Sequence, residues 1–250
     1  MTEKVQLINQ EGKSALVDVT FPVRVNGEWE NLTTDDLFKN KRVIIFGLPG
    51  AFTPTCSSTH LPRYEELYET FKENGIDEIY CVSVNDTFVM NEWAKTQQVE
   101  NVKMLPDGNT EFTDKIGMLV AKNDLGFGKR SWRYSMLIED GVITKHFIEP
   151  EVEGDPFEVS DADTMLKFIN SDALLPTSVT IFTKAECPFC RDAKELLKEK
   201  GLNFNEIILP DATRQKVLSG ITGTVKSTAP QIFVSGSLVG GLDELKEYFK

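Results

Sequence analysis

Cysteine is scarce: four residues in 250. That is too few for a disulfide scaffold, and in a reducing compartment such cysteines are catalytic or inert. No window holds the ~18 apolar residues that a membrane span needs, so no membrane partner is expected. Met1-Thr2-Glu3-Lys4-Val5-Gln6 lacks the apolar core of a secretory signal, which points to a cytoplasmic protein. No like-charge run is long enough for an interaction tail. A net charge of -12 argues against nucleic acid or anionic membrane as the main partner. Internal repeats and low-complexity segments are lacking. The single Cys-X-X-Cys pair has no second pair or His cluster to complete a zinc site. Gly126-Phe127-Gly128 stands alone, without a phosphate-binding loop around it. No bound metal, flavin or nucleotide is therefore expected.

What the sequence does contain is an alternation of strand and helix patterns, long enough for one large or two unequal domains. Segment 41–47 (Lys-Arg-Val-Ile-Ile-Phe-Gly) is a short apolar run ending in Pro-Gly and predicts a buried strand. Leu61, Tyr64, Leu67, Tyr68 and Phe71 give helical spacing over 61–74, with Asn74-Gly75 as the stop. Segment 79–84 predicts a second buried strand. A helix is expected over 85–97, with Phe88, Val89, Trp93 and Ala94 on one side. Segment 135–143 reads as a hairpin about Asp140-Gly141. Ser160-Asp161 caps a helix running to about Ile169. Residues 170–177 hold turn formers without periodicity and are read as a linker. A compact pattern follows: strand 179–182, helix 190–200 closed by Gly201, strand 204–208, a hairpin of 231–234 with 238–239 through Ser235-Gly236-Ser237, and helix 243–249. Such alternation predicts an α/β layer fold.

Two thiol centres stand out. Cys187-Pro188-Phe189-Cys190 follows an apolar strand and opens a helix. The helix N-terminus stabilises a thiolate at Cys187 through its partial charge and free N–H groups. Lys184 adds to that field, and Cys190 lies close enough to close a disulfide. Thr228-Ala229-Pro230 precedes a strand, and Gly240-Gly241-Leu242-Asp243 precedes the last helix. With these three motifs in order, residues 178–250 resemble a glutaredoxin; Phe189 departs conservatively from that family's Cys-Pro-Tyr-Cys. The resemblance implies a cis proline at Pro230 and a glutathione site formed by Lys184, Thr228, Ala229, Pro230, Gly240, Gly241, Leu242 and Asp243, with the peptide's sulfur bonding to Cys187.

The other centre is Cys56, in Pro49-Gly50-Ala51-Phe52-Thr53-Pro54-Thr55-Cys56. It too lies between a strand and a helix. Lowering a thiol pKa from ~8.5 to ~6 raises the thiolate fraction about thirtyfold but cuts nucleophilicity roughly tenfold. A fast thiol catalyst must therefore also orient its substrate and stabilise the leaving oxygen. Thr53 lies one turn before Cys56, Pro49 can shield the thiolate, and Arg133 in Ser131-Trp132-Arg133-Tyr134-Ser135-Met136 offers fixed donors. With Pro-X-X-X-Thr-X-X-Cys matched by Pro49, Thr53 and Cys56, and Arg-Tyr-Ser-Met by Arg133, residues 1 to about 168 resemble a type-II peroxiredoxin. The resemblance makes Cys56 the peroxidatic nucleophile, with Thr53 and Arg133 polarising the peroxide. No resolving cysteine follows Cys81 before Cys187. Cys81 sits mid-strand and is read as inert. His60 is expected to serve the helix structurally, with tuning of the site as an alternative, and His146 to serve the fold. Trp93 and Trp132 are expected in the core or an interface.

The fold expected is α/β with two thioredoxin-fold domains, each a central mixed sheet flanked by helices: a larger peroxiredoxin domain (1–169), a linker (170–177) and a smaller glutaredoxin domain (178–250). The function expected is a thiol peroxidase and antioxidant enzyme acting on hydrogen peroxide and organic hydroperoxides, with glutathione as reducing co-substrate. Cys190 is dispensable in a monothiol route; a dithiol route through Cys187 and Cys190 stays open. Eight linker residues reach at most ~28 Å and on average ~16 Å. A homo-oligomer, dimer or tetramer, is therefore expected, with Cys187 serving Cys56 of a neighbouring subunit or its own. The alternatives are a glutathione-dependent disulfide reductase or deglutathionylating enzyme, a redox sensor and a chaperone-like assembly.

Overall fold

The computed structural model describes residues 10–25, 27–152, 154–173, 179–202, 204–234 and 236–249. Spatial proximity divides the chain into two compact units, Met1–Leu174 and Leu175–Lys250. Of the expected linker, 170–173 contain a turn and 174–177 lie outside the described residues.

The first unit runs β1 (Thr20–Val25), β2 (Glu28–Thr33), α1 (Thr34–Phe38), β3 (Arg42–Leu48), a π-helical turn (Cys56–His60), α2 (Leu61–Glu66), α3 (Tyr68–Glu73), β4 (Glu78–Ser83), α4 (Thr87–Thr96), β5 (Lys103–Pro106), α5 (Glu111–Lys115), β6 (Leu119–Lys122), a 3-10 turn (Asn123–Leu125), β7 (Gly128–Ser131), β8 (Tyr134–Glu139), β9 (Val142–Ile148) and α6 (Ala162–Ile169). Its central sheet has the order β5-β4-β3-β8-β9. β3, β4 and β5 are parallel, while β8 is antiparallel to both β3 and β9. β1–β2 and β6–β7 form separate two-stranded ribbons.

β3 is apolar along its length because both of its faces are covered. Val43 and Ile45 join Phe38, Tyr80 and Phe112 in one buried cluster. Phe46, pointing the other way, stacks on Tyr64 of α2 with ring centroids 4.2 Å apart. Each such burial contributes roughly 1.5–3 kcal/mol. Gly47 lies opposite Tyr134 in the antiparallel pair. A side chain there would collide with the Tyr134 ring and the Ser131 hydroxyl, so glycine is what lets the two strands close. This pairing carries Arg133, the residue just before β8, to the loop that leaves the end of β3. The β8–β9 turn has positive φ at both Asp140 (47°) and Gly141 (75°), the hairpin geometry that Asp-Gly favours.

Two expectations need correction. The helix expected over 61–74 is interrupted at Leu67 (φ -90°, ψ 3°), and its helical backbone starts earlier, at Pro54. Proline suits that first position because its missing N–H would be unsatisfied there anyway. In α4, capped by the Asp86 side chain, the buried residues are Thr87, Met90 and Trp93. Phe88, expected on the same side as the buried Trp93, is 58% exposed and lies edge-on to Trp29.

The second unit runs β10 (Val179–Thr183), α7 (Pro188–Glu199), β11 (Phe204–Ile208), α8 (Asp211–Thr222), β12 (Gln231–Val234), β13 (Ser237–Gly240) and α9 (Leu242–Tyr248). Its sheet order is β11-β10-β12-β13, with only the β10–β11 pair parallel. Val179, Ile181, Ala193, Leu197, Ile232, Val234, Leu242 and Leu245 form its core. Ser235, in the expected hairpin turn, lies outside the described residues. No helix among the described residues is long and apolar enough to cross a membrane.

Candidate active sites

The first site is built on the turn after β3. Cys56 is fully buried with a free thiol, in the first turn of the helical segment that begins at Pro54. The Leu61 N–H donates to the Cys56 carbonyl, the widened π pattern that recurs at functional sites. Phe52, four residues earlier, has φ of 63°, a left-handed conformation uncommon outside glycine. The Thr53 hydroxyl donates to the Gly50 carbonyl at 2.9 Å, which leaves its lone pairs as acceptors. The loop is pinned from β4: Asn85 Oδ1 accepts from the Ala51 N–H at 3.0 Å and from the Ser83 hydroxyl at 2.7 Å. Trp93, buried, donates to Ser57 Oγ.

Arg133 is only 1% exposed. Its Nη1 donates to Cys56 Sγ at 3.5 Å, closing a contact between residues 77 apart in sequence. Asp155 holds the opposite side of the guanidinium as an ion pair. His60 Nδ1 lies 3.1 Å from the same Nη1, and its Nε2 lies 3.1 Å from the Ser160 carbonyl. A guanidinium only donates, so Nδ1 accepts and the proton sits on Nε2. A cavity of about 220 Å3 is lined by Pro49, Thr53, Pro54, Thr55, Lys122, Leu125, Phe127 and Asp155. It brings Pro49 and Thr53 together with the partner of Arg133. Cys81 is buried, and burial pushes its thiol well above the ordinary cysteine range, in keeping with an inert residue. Trp132 is buried and donates to the Glu149 carbonyl. His146 lies on β9 opposite Met136.

Burial first, and the Arg133 charge second, hold the His60 pKa down to about 3. An unfolded chain protonates this group near 6.5. Unfolding therefore takes up a proton between those values. The stability tied to His60 is intact above pH 6.5 and is lost as pH falls towards 3, by roughly 3–6 kcal/mol in total. All three tryptophans, Trp29, Trp93 and Trp132, lie in the first unit, so their fluorescence reports on that unit alone. In urea melts followed this way between pH 7 and 4, His60→Asn is expected to lose less stability on acidification than the wild type. Parallel pH slopes would contradict this.

The second site lies at one end of the smaller sheet. Phe182 pairs with Gln231, and Ile232 with Gly240. The C-terminal end of β10 therefore meets the residues before β12 and those after β13. Cys187 caps α7 and accepts the Cys190 N–H at 3.2 Å. The two sulfurs are joined as a disulfide, with Cα atoms 5.2 Å apart. The Ala229–Pro230 bond is cis, and the Ala229 carbonyl oxygen lies 3.8 Å from Cys187 Sγ. A Cβ at Gly241 would lie 3.6 Å from the Pro230 oxygen, so the two motifs adjoin. Lys184 lines a cavity of about 460 Å3 with Cys187, Cys190, Arg191 and Lys194. Thr228 is exposed. The Leu242 side chain belongs to the core. Asp243 is exposed and faces Lys246 at 3.6 Å.

Sequence spacing did not single out Asn85 or Asp155, and it gave His60 mainly a structural role.

Known proteins match both halves. The Redoxin family pattern matches residues 10–166, and the Glutaredoxin pattern residues 179–239. The hybrid peroxiredoxin hyPrx5 of Haemophilus influenzae is 56% identical over 242 residues, which cover 96% of this chain and 99% of that protein. Peroxiredoxin sll1621 of Synechocystis is 57% identical over 164 residues, 60% of this chain and 87% of its own. The structure of reduced Prx3 from Vibrio vulnificus in complex with hydrogen peroxide aligns with a TM-score of 0.61 at 38% identity, covering 65% of this chain and 99% of that one. This chain belongs to the hybrid peroxiredoxins, peroxidases in which a redoxin domain is followed by a glutaredoxin domain.

Proposed function

We propose that Cys56 is the sulfur that meets the peroxide and that glutathione, relayed through Cys187, restores it. The observation that carries this reading is the buried Arg133 Nη1 donating to Cys56 Sγ, beside the Thr53 and Pro49 walls of a cavity. The Cys56 thiolate attacks one peroxide oxygen. An S–O bond forms, the O–O bond breaks, and the leaving oxygen takes a proton to depart as water or alcohol. Thr53 accepts a hydrogen bond from the peroxide, and Arg133 stabilises the negative charge that builds on the leaving oxygen. The sulfenic acid condenses with one glutathione, releasing water and forming a mixed disulfide. The Cys187 thiolate then attacks the glutathione sulfur and frees Cys56. A second glutathione restores Cys187 and leaves as glutathione disulfide. In sum, one hydroperoxide and two glutathiones give an alcohol, water and glutathione disulfide.

The Cys190 N–H and the start of α7 favour a thiolate at Cys187 once the disulfide is reduced. Lys184 and the backbone about Thr228–Pro230 and Gly240–Asp243 are the groups we assign to the tripeptide. We assign the linker between the domains to 170–177, after α6 ends at Ile169. The cycle needs a pool of reduced glutathione, which fits a cytoplasmic setting, and a homo-oligomer would allow transfer between subunits.

The test is peroxide-dependent oxidation of glutathione, coupled to glutathione reductase and NADPH. The wild type is expected to consume NADPH only when peroxide is present, and Cys56→Ser to consume none above the uncatalysed rate. Turnover of glutathionylated substrates without any peroxide consumption would instead make the protein a disulfide reductase.

A further inference from the structure

The Arg133 guanidinium has hydrogen-bond contacts to Cys56, His60 and Asp155, and its carbon lies 5.5 Å from the centre of the Phe157 ring. Nη1 donates to Cys56 Sγ at 3.5 Å and to His60 Nδ1 at 3.1 Å. Nε donates to Asp155 Oδ1 at 3.3 Å, and Nη2 donates to Asp155 Oδ2. From this arrangement we propose that His60 and Asp155 are positioning residues for the peroxide step, gripping Arg133 from two sides so that Nη1 stays aimed at the reacting sulfur. The proposal rests on the roles assigned above to Cys56 and Arg133.

An arginine side chain carries about 2 kcal/mol of rotamer entropy, so its donors are useful only when something fixes the fork. A carboxylate gripping two nitrogens fixes the guanidinium plane. An acceptor on Nη1 fixes the remaining direction. His60 is itself immobilised. Its ring packs against Phe46 and Phe157, with centroids 4.9 and 5.0 Å away, and Nε2 is committed to the Ser160 carbonyl. Burial keeps the ring neutral, so Nδ1 keeps its lone pair for Arg133. Asp155 and Ser160 come from one loop. That loop is tied down by the buried Glu149 carboxylate, which accepts the N–H groups of Glu158, Val159 and Ser160, and by Lys122 donating to the Gly154 carbonyl. The loop after β9 thus sets the aim of an arginine that precedes β8.

The test uses the full chain with Cys187→Ser and Cys190→Ser, so that only the first half-reaction is seen. Two rate constants are measured at Cys56, one with hydrogen peroxide and one with iodoacetamide, which needs the thiolate but no aligned guanidinium. His60→Phe and Asp155→Asn are each expected to slow the peroxide reaction about 10- to 100-fold. Alkylation should change less than about threefold, since thiolate fraction and nucleophilicity offset each other. His60→Asn, whose Oδ1 stands near the Nδ1 position, should recover most of the peroxide rate. Unchanged peroxide rates, a parallel fall in both rates, or an Asn variant no better than Phe would each overturn the proposal. Asp155 is 31% exposed, so its variant is informative even if His60→Phe does not fold. A Cys56→Ser protein that still consumed peroxide would remove the underlying reading instead.

Discussion

Replacing Arg133 with methionine is expected to slow the reaction of Cys56 with hydrogen peroxide by about 100- to 1,000-fold, the usual cost of removing a donor aimed at developing charge. Thiolate formation cannot supply such a factor. The gain in thiolate fraction from a lowered pKa is largely cancelled by lost nucleophilicity, which leaves a few-fold. The rest must come from the peroxide side, where breaking the O–O bond puts negative charge on the leaving oxygen. Arg133 Nη1 donates to Sγ at 3.5 Å, and the residue is nearly sealed from water, which strengthens its effect. Methionine fills similar volume without charge and leaves Asp155 free to hydrate. Arg133→Lys should recover little, because one ammonium cannot reproduce the planar fork that serves Cys56, His60 and Asp155 together. Stopped-flow tryptophan fluorescence in single turnover measures the rate, with alkylation as the control for folding. A loss below about threefold would mean that Arg133 does not act on the substrate.

Replacing Cys187 with serine is expected to leave that first turnover unchanged and to cut glutathione-dependent steady-state turnover about a hundredfold at low glutathione. The two effects separate because the residues sit in different units and are assigned to different steps of the proposed cycle. Tethering gives the second unit an effective concentration of about millimolar when linker and geometry match. Free glutathione must replace that when Cys187 is gone. Cys190→Ser is expected to keep most of the turnover. Both sulfurs are largely buried, Cys187 at 8% and Cys190 at 3% exposure, but it is Cys187 that accepts the N–H at the start of α7 and lies beside Ala229. Substantial loss in Cys190→Ser would favour the dithiol route.

Much of this was legible in the sequence because the signals were local. Apolar runs marked β3 and β4, Asp-Gly marked the β8–β9 turn, Asp161 marked the start of α6, and Cys-X-X-Cys marked the start of α7. Weak local signals hid other elements. α8 has one buried residue, Leu218, so its sequence shows no apolar stripe to read. Phe88 fits a buried helical face by spacing, but the surface of α4 is shared with Trp29, and the aromatic pair sits outside. The break at Leu67 and the π turn at Cys56 leave no residue-type signature. At the first site, motifs pointed to Pro49, Thr53, Cys56 and Arg133, and the fold brings Arg133 to Cys56. The contacts of Asp155 and His60 with Arg133 were not legible, because they depend on strand pairing and on a loop held by Glu149. No spacing rule encodes that.

The most direct measurement is the mass of the Cys187→Ser protein after one equivalent of hydrogen peroxide in the presence of glutathione. A single glutathione bound through a disulfide to Cys56 is expected to accumulate, and adding the isolated second unit or fresh wild-type chain should remove it. Peroxide consumed with Cys56 left unmodified, or glutathione found on Cys81 instead, would contradict the proposed cycle.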